Sequence, residues 1–277
     1  MPALYIVATP IGNLEDISLR ALRTLREVKL IAAEDTRRTR QLLTTYDIKT
    51  PLTSYHERNK LTKLDYILDR LSGGDVALVS DAGMPGISDP GYELIAACAQ
   101  RGIAVVPIPG PSVVITALAV SGLDTGKFIY LGFLPHKASA RRHILESVAA
   151  EPATIVVLES PHRLPVALND ILQVLGDRRL AVCRELTKLH EEVFRGRISQ
   201  AMAHFTEPRG EFTLVIEGKK EVEKPQLTEA IEQQLQNMRR SGVAAKEAVA
   251  RIAGESGLSR KELYRAWLRQ SKRQERS

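Results

Sequence analysis

The stretch 75–91, DVALVSDAGMPGISDPG, decides the fold because an apolar strand runs directly into a loop of glycine, proline and aspartate. A short apolar run bounded by turn residues is typical of a strand buried on both faces, as in a parallel sheet. The glycines of the loop allow a ligand to approach the backbone closely, and its prolines stiffen it. No basic residue accompanies Asp81 in this loop, which favours a neutral or cationic ligand over a phosphate.

The same alternation of strand and helix extends to both sides of this stretch. Strands are predicted at 3–9, 29–35, 75–80 and 104–110, and helices at 17–28, 61–74, 91–102 and 111–122. An alternating βα pattern predicts a mostly parallel sheet with helices on both faces. We therefore expect residues 1–120 to form an N-terminal α/β domain.

A second α/β domain is predicted over residues 121–220. Its strands are predicted at 127–133, 154–160, 179–186 and 211–218, and its helices near 138–150, 162–176 and 197–206. The charged segment 218–226 contains Pro225 and is typical of a linker. The chain is thus expected to consist of two α/β domains followed by a small all-helical module at 225–277.

The helical module carries most of the excess positive charge of the chain. It contains eleven Lys/Arg and six Glu, a net charge of +5 out of +6 for the whole chain. A basic module on a nearly neutral body favours a polyanionic partner such as nucleic acid. A basic tail without a specific partner would have the same composition, and this alternative stays open.

The module also has the pattern of a helix-turn-helix. Ala253, Gly257 and Leu263 have the spacing of a small residue, a turn glycine and an anchor in the second helix. Ser259 and Glu262 form a capping box at the start of that helix. The second helix would present three basic side chains to RNA, namely Arg260, Lys261 and Arg265. A plain helical hairpin has the same pattern, so helix packing without RNA contact is the alternative.

Length and composition exclude several classes of protein. A chain of 277 residues suggests two domains with room for a small third, and 44% hydrophobic residues is ordinary for a globular protein. No apolar run approaches the roughly 18 residues of a membrane helix, and the N-terminus lacks the features of a signal peptide. Cys98 and Cys183 are expected to be buried free thiols. We therefore expect a cytoplasmic protein without membrane association.

Three loops rich in glycine and proline follow predicted strands, at 9–16, 81–91 and 107–112. In an open parallel sheet, ligands bind beyond the carboxyl ends of the strands, so these loops are expected to form the rim of a pocket. The chain contains neither a P-loop nor the dinucleotide-binding glycine pattern. It also lacks metal-ligand and serine-hydrolase motifs, so no metal is expected.

Five segments, LYIVATPIGNLEDISLRALRTL, AEDTRRTRQLL, LVSDAGMPGISDPG, VVPIPGPS and YLGFLP, occur in this order. Together they resemble the bacterial 16S rRNA cytidine 2′-O-methyltransferases, the small-subunit methyltransferase I family of the tetrapyrrole methylase superfamily. The resemblance covers about residues 1–220, and the basic tail fits the C-terminal extension of that family. It implies a homodimer of two-domain chains that hold S-adenosylmethionine in the cleft between the α/β domains. The implied substrate is the ribose 2′-hydroxyl of a decoding-centre cytidine, position 1402 of 16S rRNA, in the assembled small ribosomal subunit.

The family motifs also imply which residues bind the cofactor. Carried onto this sequence, they are Pro10, Asp81, Ala82, Gly83, Met84, Pro85, Ser112, Val113 and Leu158. S-Adenosylmethionine is cationic at sulfur and carries no phosphate, in agreement with the chemistry of the loop. In this interpretation residues 81–85 contact the cofactor, residues 86–91 hold them in place, and Asp89 caps the next helix.

A ribose hydroxyl is a poor nucleophile, so a base or a polarising cation is expected beside it. The candidates are Glu34 and Asp35 at the end of the second strand, and Glu185 and Lys188 in CRELTKLHEE. Lys188 could act as the base if its surroundings lowered its pKa. Each of the four could instead belong to an ion pair between the two domains.

Three arginines, Arg37, Arg38 and Arg40, follow at once in EDTRRTR and are expected to contact RNA phosphates. A solvated helix face is the alternative. Two other functions also stay open. A porphyrinoid methylase of the same superfamily would not need the basic tail, and a non-enzymatic helix-turn-helix regulator would not need the cofactor-type loops.

Overall fold

The structure is a computed structural model that describes residues 2–220 and 226–274, the last five of these by their backbone alone. Its contacts divide the chain into two compact units, Met1–Lys219 and Lys220–Ser277. Most of the predicted linker, with its Pro225, lies outside the described residues. Among the helices that the structure describes, none is both long enough and apolar enough to cross a bilayer.

The first sheet of the larger unit is parallel throughout, as the βα pattern predicts. Its strands are β1 (Ala3–Val7), β2 (Leu30–Ala33), β3 (Leu52–Ser54), β4 (Val76–Val79) and β5 (Ala104–Ile108). Their order is β3-β2-β4-β1-β5. β2 and β4 are buried at every position, which explains their uninterrupted apolar sequence.

Helices cover both faces of this sheet, so the prediction is confirmed. They are α1 (Leu19–Glu27) and α2 (Thr36–Thr45) on one face, and α3 (Lys60–Ser72) and α4 (Tyr92–Gln100) on the other. The sequence did not predict α2 or the short β3. α2 is mostly polar, and only Leu42 and Leu43 supply its apolar contact with the core.

The second sheet is mixed. Its strands are β6 (Phe128–Phe133), β7 (Thr154–Glu159), β8 (Arg179–Arg184), β9 (Glu192–Arg197) and β10 (Phe212–Ile216). Their order is β6-β7-β10-β8-β9, and only β6 and β7 pair in parallel. β9 was not predicted, because the charged sequence EVFRGR forms an edge strand with little apolar signal.

The two faces of the second sheet are covered by different parts of the chain. One face packs against α6 (Ala138–Ser147), α7 (Leu164–Leu175) and α8 (Ile198–His204). The opposite face packs against α5 (Val113–Ser121), the helix that follows the last strand of the first sheet. Val114 and Leu118 of α5 contact a cluster that includes Val156 and Val215. α5 therefore connects the two sheets through buried apolar contacts.

The smaller unit contains three helices in its described residues, α9 (Glu229–Arg240), α10 (Ala245–Ser256) and α11 (Arg260–Gln274). Gly257 ends α10 in the left-handed conformation at φ 70°. Glu262 N donates to the Ser259 hydroxyl at 3.2 Å, and the two side chains lie 2.6 Å apart. The predicted turn and the hydrogen bond of the Ser259 cap are thus confirmed. Leu263 and Trp267 are buried in the core of this unit.

Candidate active-site cleft

The loops after β1 and β4 are joined at the carboxyl edge of the first sheet. Thr9 N donates to Gly83 O at 2.9 Å, and Gly83 N donates to Thr9 O at 3.0 Å. Gly83 has φ 82°, a conformation that residues with a Cβ rarely adopt. A Cβ at this position would have Ile11 and the Pro111 carbonyl as its nearest neighbours, both at 3.7 Å. All three predicted rim loops therefore meet around Gly83.

A cavity of about 390 Å³ lies between the two sheets. Its volume falls within the usual range of small-molecule sites. The larger unit has two halves, one built on the first sheet and one on the second, and both contribute to the wall of the cavity. The lining residues are Ile11, Glu34, Arg38, 81–84, 87–89, 112–114, Tyr130, Phe133, 158–161 and 211–213.

Most of the predicted cofactor residues lie in the wall of this cavity. They are Asp81, Ala82, Gly83, Met84, Ser112, Val113 and Leu158. Pro10 and Pro85 are buried in the same loops but are not among the described lining residues. Ser112 begins α5 without a side-chain capping bond, which leaves its hydroxyl available to a ligand.

The second half of the 81–91 loop also belongs to the cavity, which corrects the expectation that it only supports the first half. Ile87, Ser88 and Asp89 are lining residues. Asp89 does not cap α4, because Gly91 occupies the N-cap position and no side chain bonds there.

Three carboxylates from the half of the larger unit that contains the first sheet lie in the cavity wall, namely Glu34, Asp81 and Asp89. Burial raises the pKa of Glu34 and of Asp81. Burial, together with the negative charges of these two groups, raises the pKa of Asp89 to about 7. The lining cation is Arg38, whose Nη1 lies 3.3 Å from Asp81 Oδ2. The described lining is thus richer in acidic than in basic groups, which favours a cationic ligand.

Lys188 is held by two carboxylates and is not a free amine. Its Nζ donates to Glu185 Oε1 at 2.9 Å and to Glu211 Oε2 at 2.8 Å. Burial alone would lower the pKa of Lys188, but these two hydrogen bonds outweigh it and raise the pKa. This direction is opposite to the one that a lysine base requires.

Glu185 is engaged in the same cluster. Burial opposes its ionisation, but hydrogen bonds from the Glu211 N–H and from Lys188 lower its pKa. Glu185 and Lys188 are not among the described lining residues, whereas Glu211 is. The cluster therefore joins the cavity wall to the loop after β8.

The remaining residues of the EDTRRTR segment divide between the cavity and the surface. Asp35 caps α2, and its carboxylate accepts hydrogen bonds from Arg37 that lower its pKa. Arg37 and Arg40 line a separate depression on α2, outside the cavity. The structure thus places Glu34 and Arg38 in the cleft and leaves Asp35, Arg37 and Arg40 beside it.

The two halves touch at two further points around the cleft. Ser88 Oγ lies 2.6 Å from Tyr130 Oη. Asn13 N donates to Thr187 Oγ1 at 3.0 Å, and Thr187 has a left-handed φ of 68°. The loops of the first half are therefore anchored to the second half by specific polar contacts.

Several lining residues were missed by the sequence analysis, among them Tyr130, Phe133 and Glu159. Phe133 and Glu159 could have been found by position, since each lies in the last part of a predicted strand, where an α/β protein places its ligand. Tyr130 lies in the middle of its strand, and its position gave no such signal. Glu159 is fully buried and lies 3.4 Å from Arg163 Nε. Its Oε2 atom has no hydrogen-bond partner among the described residues.

Comparisons with known proteins agree with this architecture. Residues 3–202 match the family model of the tetrapyrrole (corrin/porphyrin) methylases. A protein of Thermotoga maritima named ribosomal RNA small subunit methyltransferase I is 54% identical over 222 residues, which cover 79% of this chain and 100% of that protein. A protein of the same name from Halalkalibacterium halodurans is 47% identical over 268 residues, which cover 94% of this chain and 93% of that protein.

Among solved structures, a diphthine synthase superposes with a TM-score of 0.64 at 14% identity. The superposition covers 79% of this chain and 90% of that structure, which indicates a shared fold. The sheets, the cleft and these similarities agree, and the chain therefore belongs to the tetrapyrrole methylase family, in the group named ribosomal RNA small subunit methyltransferase I.

Proposed function

We propose that this enzyme transfers the methyl group of S-adenosylmethionine to the ribose 2′-hydroxyl of a decoding-centre cytidine in 16S rRNA. The observation that carries the proposal is the similarity over nearly the whole chain to proteins named ribosomal RNA small subunit methyltransferase I. The cytidine and the 2′ position are inferred from the five sequence segments that resemble the 2′-O-methyltransferases.

The residues of the cleft fit S-adenosylmethionine, the cofactor of this family of methylases. The surplus of carboxylates suits a ligand with a cationic sulfur and an ammonium group. Gly83 lines the cavity without a side chain, so a ligand can approach its backbone. The buried Oε2 of Glu159 has no hydrogen-bond donor among the described residues. When bound, the cofactor supplies an electrophilic methyl group on a positively charged sulfur.

The residues of the chain have two tasks in such a transfer. Apolar side chains such as Ile11, Met84 and Leu158 exclude water from the cavity. The contacts between the halves hold the loops in one geometry, because transfer requires the hydroxyl oxygen within about 3–3.5 Å of the methyl carbon. The Lys188 cluster serves this second task by fixing the wall at Glu211.

Binding of rRNA is assigned to two basic surfaces. Arg38 lies at the cleft, and Arg37 and Arg40 lie beside it on the same helix. In the helical module, Arg260, Lys261 and Arg265 are exposed on α11. Each arginine or lysine that neutralises a phosphate contributes to an affinity that falls with salt.

The helical module is assigned a role in affinity and not in the chemical step. The full length of the Thermotoga maritima relative matches only 79% of this chain. The unmatched fifth has about the size of the unit Lys220–Ser277. We also propose that the enzyme is a homodimer and that its substrate is the assembled small ribosomal subunit.

The test is transfer of labelled methyl from S-adenosylmethionine to small ribosomal subunits that lack the modification, followed by mapping of the labelled nucleotide. Label at the 2′-oxygen of one cytidine supports the proposal. Label on a porphyrinoid and none on rRNA would establish the small-molecule methylase instead. RNA binding without any transfer would point to the regulator.

A further inference from the structure

A strained turn at Ser88 places Asp89 in the cavity wall. Contacts from the half of the larger unit that contains the second sheet hold this turn in place. Ser88 has a left-handed φ of 64°, which is costly for a residue other than glycine and tends to occur at functional sites. Its hydroxyl lies 2.6 Å from Tyr130 Oη, and a Cβ at Gly132 would come within 3.1 Å of it. Pro90 further restricts Asp89 to extended conformations. The turn is thus fixed from both sides of the cleft.

The surroundings of Asp89 raise its affinity for a proton. The groups that face it are the carboxylates of Glu34 and Asp81 and the hydroxyls of Ser80 and Tyr130. The nearby cation, Arg38, is paired with Asp81. Burial and the two negative charges raise the pKa of Asp89 to about 7. A base whose pKa lies near the working pH combines a large ionised fraction with a strong pull on the proton.

The two neighbouring carboxylates are already engaged. Glu34 Oε2 accepts from Asp81 N at 3.3 Å, and Asp81 accepts from Asp35 N at 3.0 Å while it pairs with Arg38. Asp89 has a hydrogen bond with the Ser80 hydroxyl but forms no ion pair among the described residues. Since burial raises its pKa to about 7, Asp89 is the lining carboxylate of this cluster that is best suited to accept a further proton.

We propose that Asp89 is the general base that accepts the proton of the substrate hydroxyl, an inference that rests on the proposed function. The hydroxyl proton passes to the carboxylate as the oxygen forms its bond to the methyl carbon. The electron pair of the broken carbon–sulfur bond stays on sulfur. One negative and one positive charge are lost together, which leaves a neutral acid and a neutral thioether, and Asp89 then releases its proton to solvent.

Single-turnover methylation of small subunits by the full chain tests this role between about pH 6 and pH 9. The rate of the unchanged enzyme should rise about tenfold per pH unit below 7 and level off above it. Asp89→Asn should lower the plateau rate by roughly 10²- to 10⁴-fold and abolish the pH break. Asp89→Glu should keep a break at a reduced rate. An Asp89→Asn variant with an unchanged rate and pH break would overturn the inference.

A direct titration separates this inference from the proposed function. Carbon-13 NMR of labelled aspartates, compared with the Asp89→Asn spectrum, should show one carboxyl titrating near pH 7 that the variant lacks. A carboxyl that titrates below about pH 5 would overturn the role of Asp89. Lack of transfer by the unchanged enzyme would refute the proposed function and the role of Asp89 with it, whereas transfer by an enzyme whose Asp89 titrates below about pH 5 would refute the role of Asp89 alone.

Two controls accompany the variant. Asp65→Asn makes the same chemical change at an exposed position of α3 and should leave the rate and its pH dependence unchanged. Binding of S-adenosylmethionine to Asp89→Asn, measured by calorimetry, should stay within a few-fold of the unchanged protein. A loss of cofactor affinity that accounts for the whole loss of rate would instead assign Asp89 to binding and contradict its role as base.

Discussion

Gly12 lies where the two α/β halves touch. One added methyl group there tests whether the distance between the halves determines the affinity for the cofactor. In Gly12→Ala, the new Cβ would lie 2.5 Å from Lys188 Cγ, 2.7 Å from Thr187 Oγ1 and 2.9 Å from Leu186 O. None of these atoms is free to yield. Lys188 is held by two carboxylates, Thr187 Oγ1 accepts a hydrogen bond from Asn13 N, and the third atom belongs to the backbone.

The size of the effect follows from these distances. Ordinary contacts of a Cβ begin at 3.4 Å, so the halves must separate by roughly 0.5–1 Å. Overpacking of this kind costs about 1–3 kcal/mol. If that cost falls on the closed cleft, the Kd for S-adenosylmethionine rises by about 5- to 150-fold, which isothermal titration calorimetry measures directly.

Gly73→Ala is the matched control. Gly73 ends α3, and the nearest neighbour of its added Cβ is the Arg70 carbonyl at 3.7 Å, an ordinary contact. Its Kd should equal that of the unchanged protein. A folded Gly12→Ala protein with unchanged cofactor affinity would refute the reasoning that this contact controls the cleft.

Three further predictions concern stability, the pH profile and RNA affinity. Because the pKa of Asp89 is raised from 3.8 to about 7, its ionisation destabilises the fold progressively above pH 3.8 and fully above about 7. Asp89→Asn should therefore raise the free energy of unfolding by roughly 2 kcal/mol at about pH 8, which is half of what the pKa shift gives without solvent screening. Near pH 4 the variant should gain nothing, and denaturant titration at the two pH values measures both results. Lys188→Met should leave the pH break of methyl transfer in place, because its neighbours keep Lys188 protonated, and a shifted break in single-turnover assays would contradict this. A double alanine variant of Lys261 and Arg265 should reduce the slope of log affinity for rRNA against log salt by about 1–2, and an identical slope would show that α11 does not contact phosphate.

The first sheet was predictable because its strands are buried on both faces and their apolar runs are continuous. The sequences DVALVS and KLIAAED therefore predict strands without any information about the residues that pack against them. β9 and α2 were not predictable in this way. β9 has a charged sequence and forms because it pairs with β8. α2 is mostly polar and contacts the core through two leucines. Both elements therefore depend on tertiary contacts.

The candidate site shows the same limit. Glycine-rich loops predicted the rim of a pocket, and a cavity lies there, since Gly83 and its neighbours follow a recognisable strand. The environment of each carboxylate depends on residues far away in sequence, and the sequence cannot supply it. Asp89 looked like a helix cap because it precedes Pro90 and α4, but the turn at Ser88 places it in the cavity. Lys188 was a candidate base from its sequence context, but Glu211, which immediately precedes β10, accepts a hydrogen bond from it and helps to raise its pKa.

The packing of α5 bears on how the chain unfolds. A cut after residue 120 would leave Val114 and Leu118 without the sheet that covers them, and would remove one covering layer from that sheet. The two α/β halves should therefore not exist as separate folded fragments, although each has its own sheet. In a calorimeter, residues of both halves should melt in a single cooperative transition, because the helix that ends the first half supplies part of the core of the second.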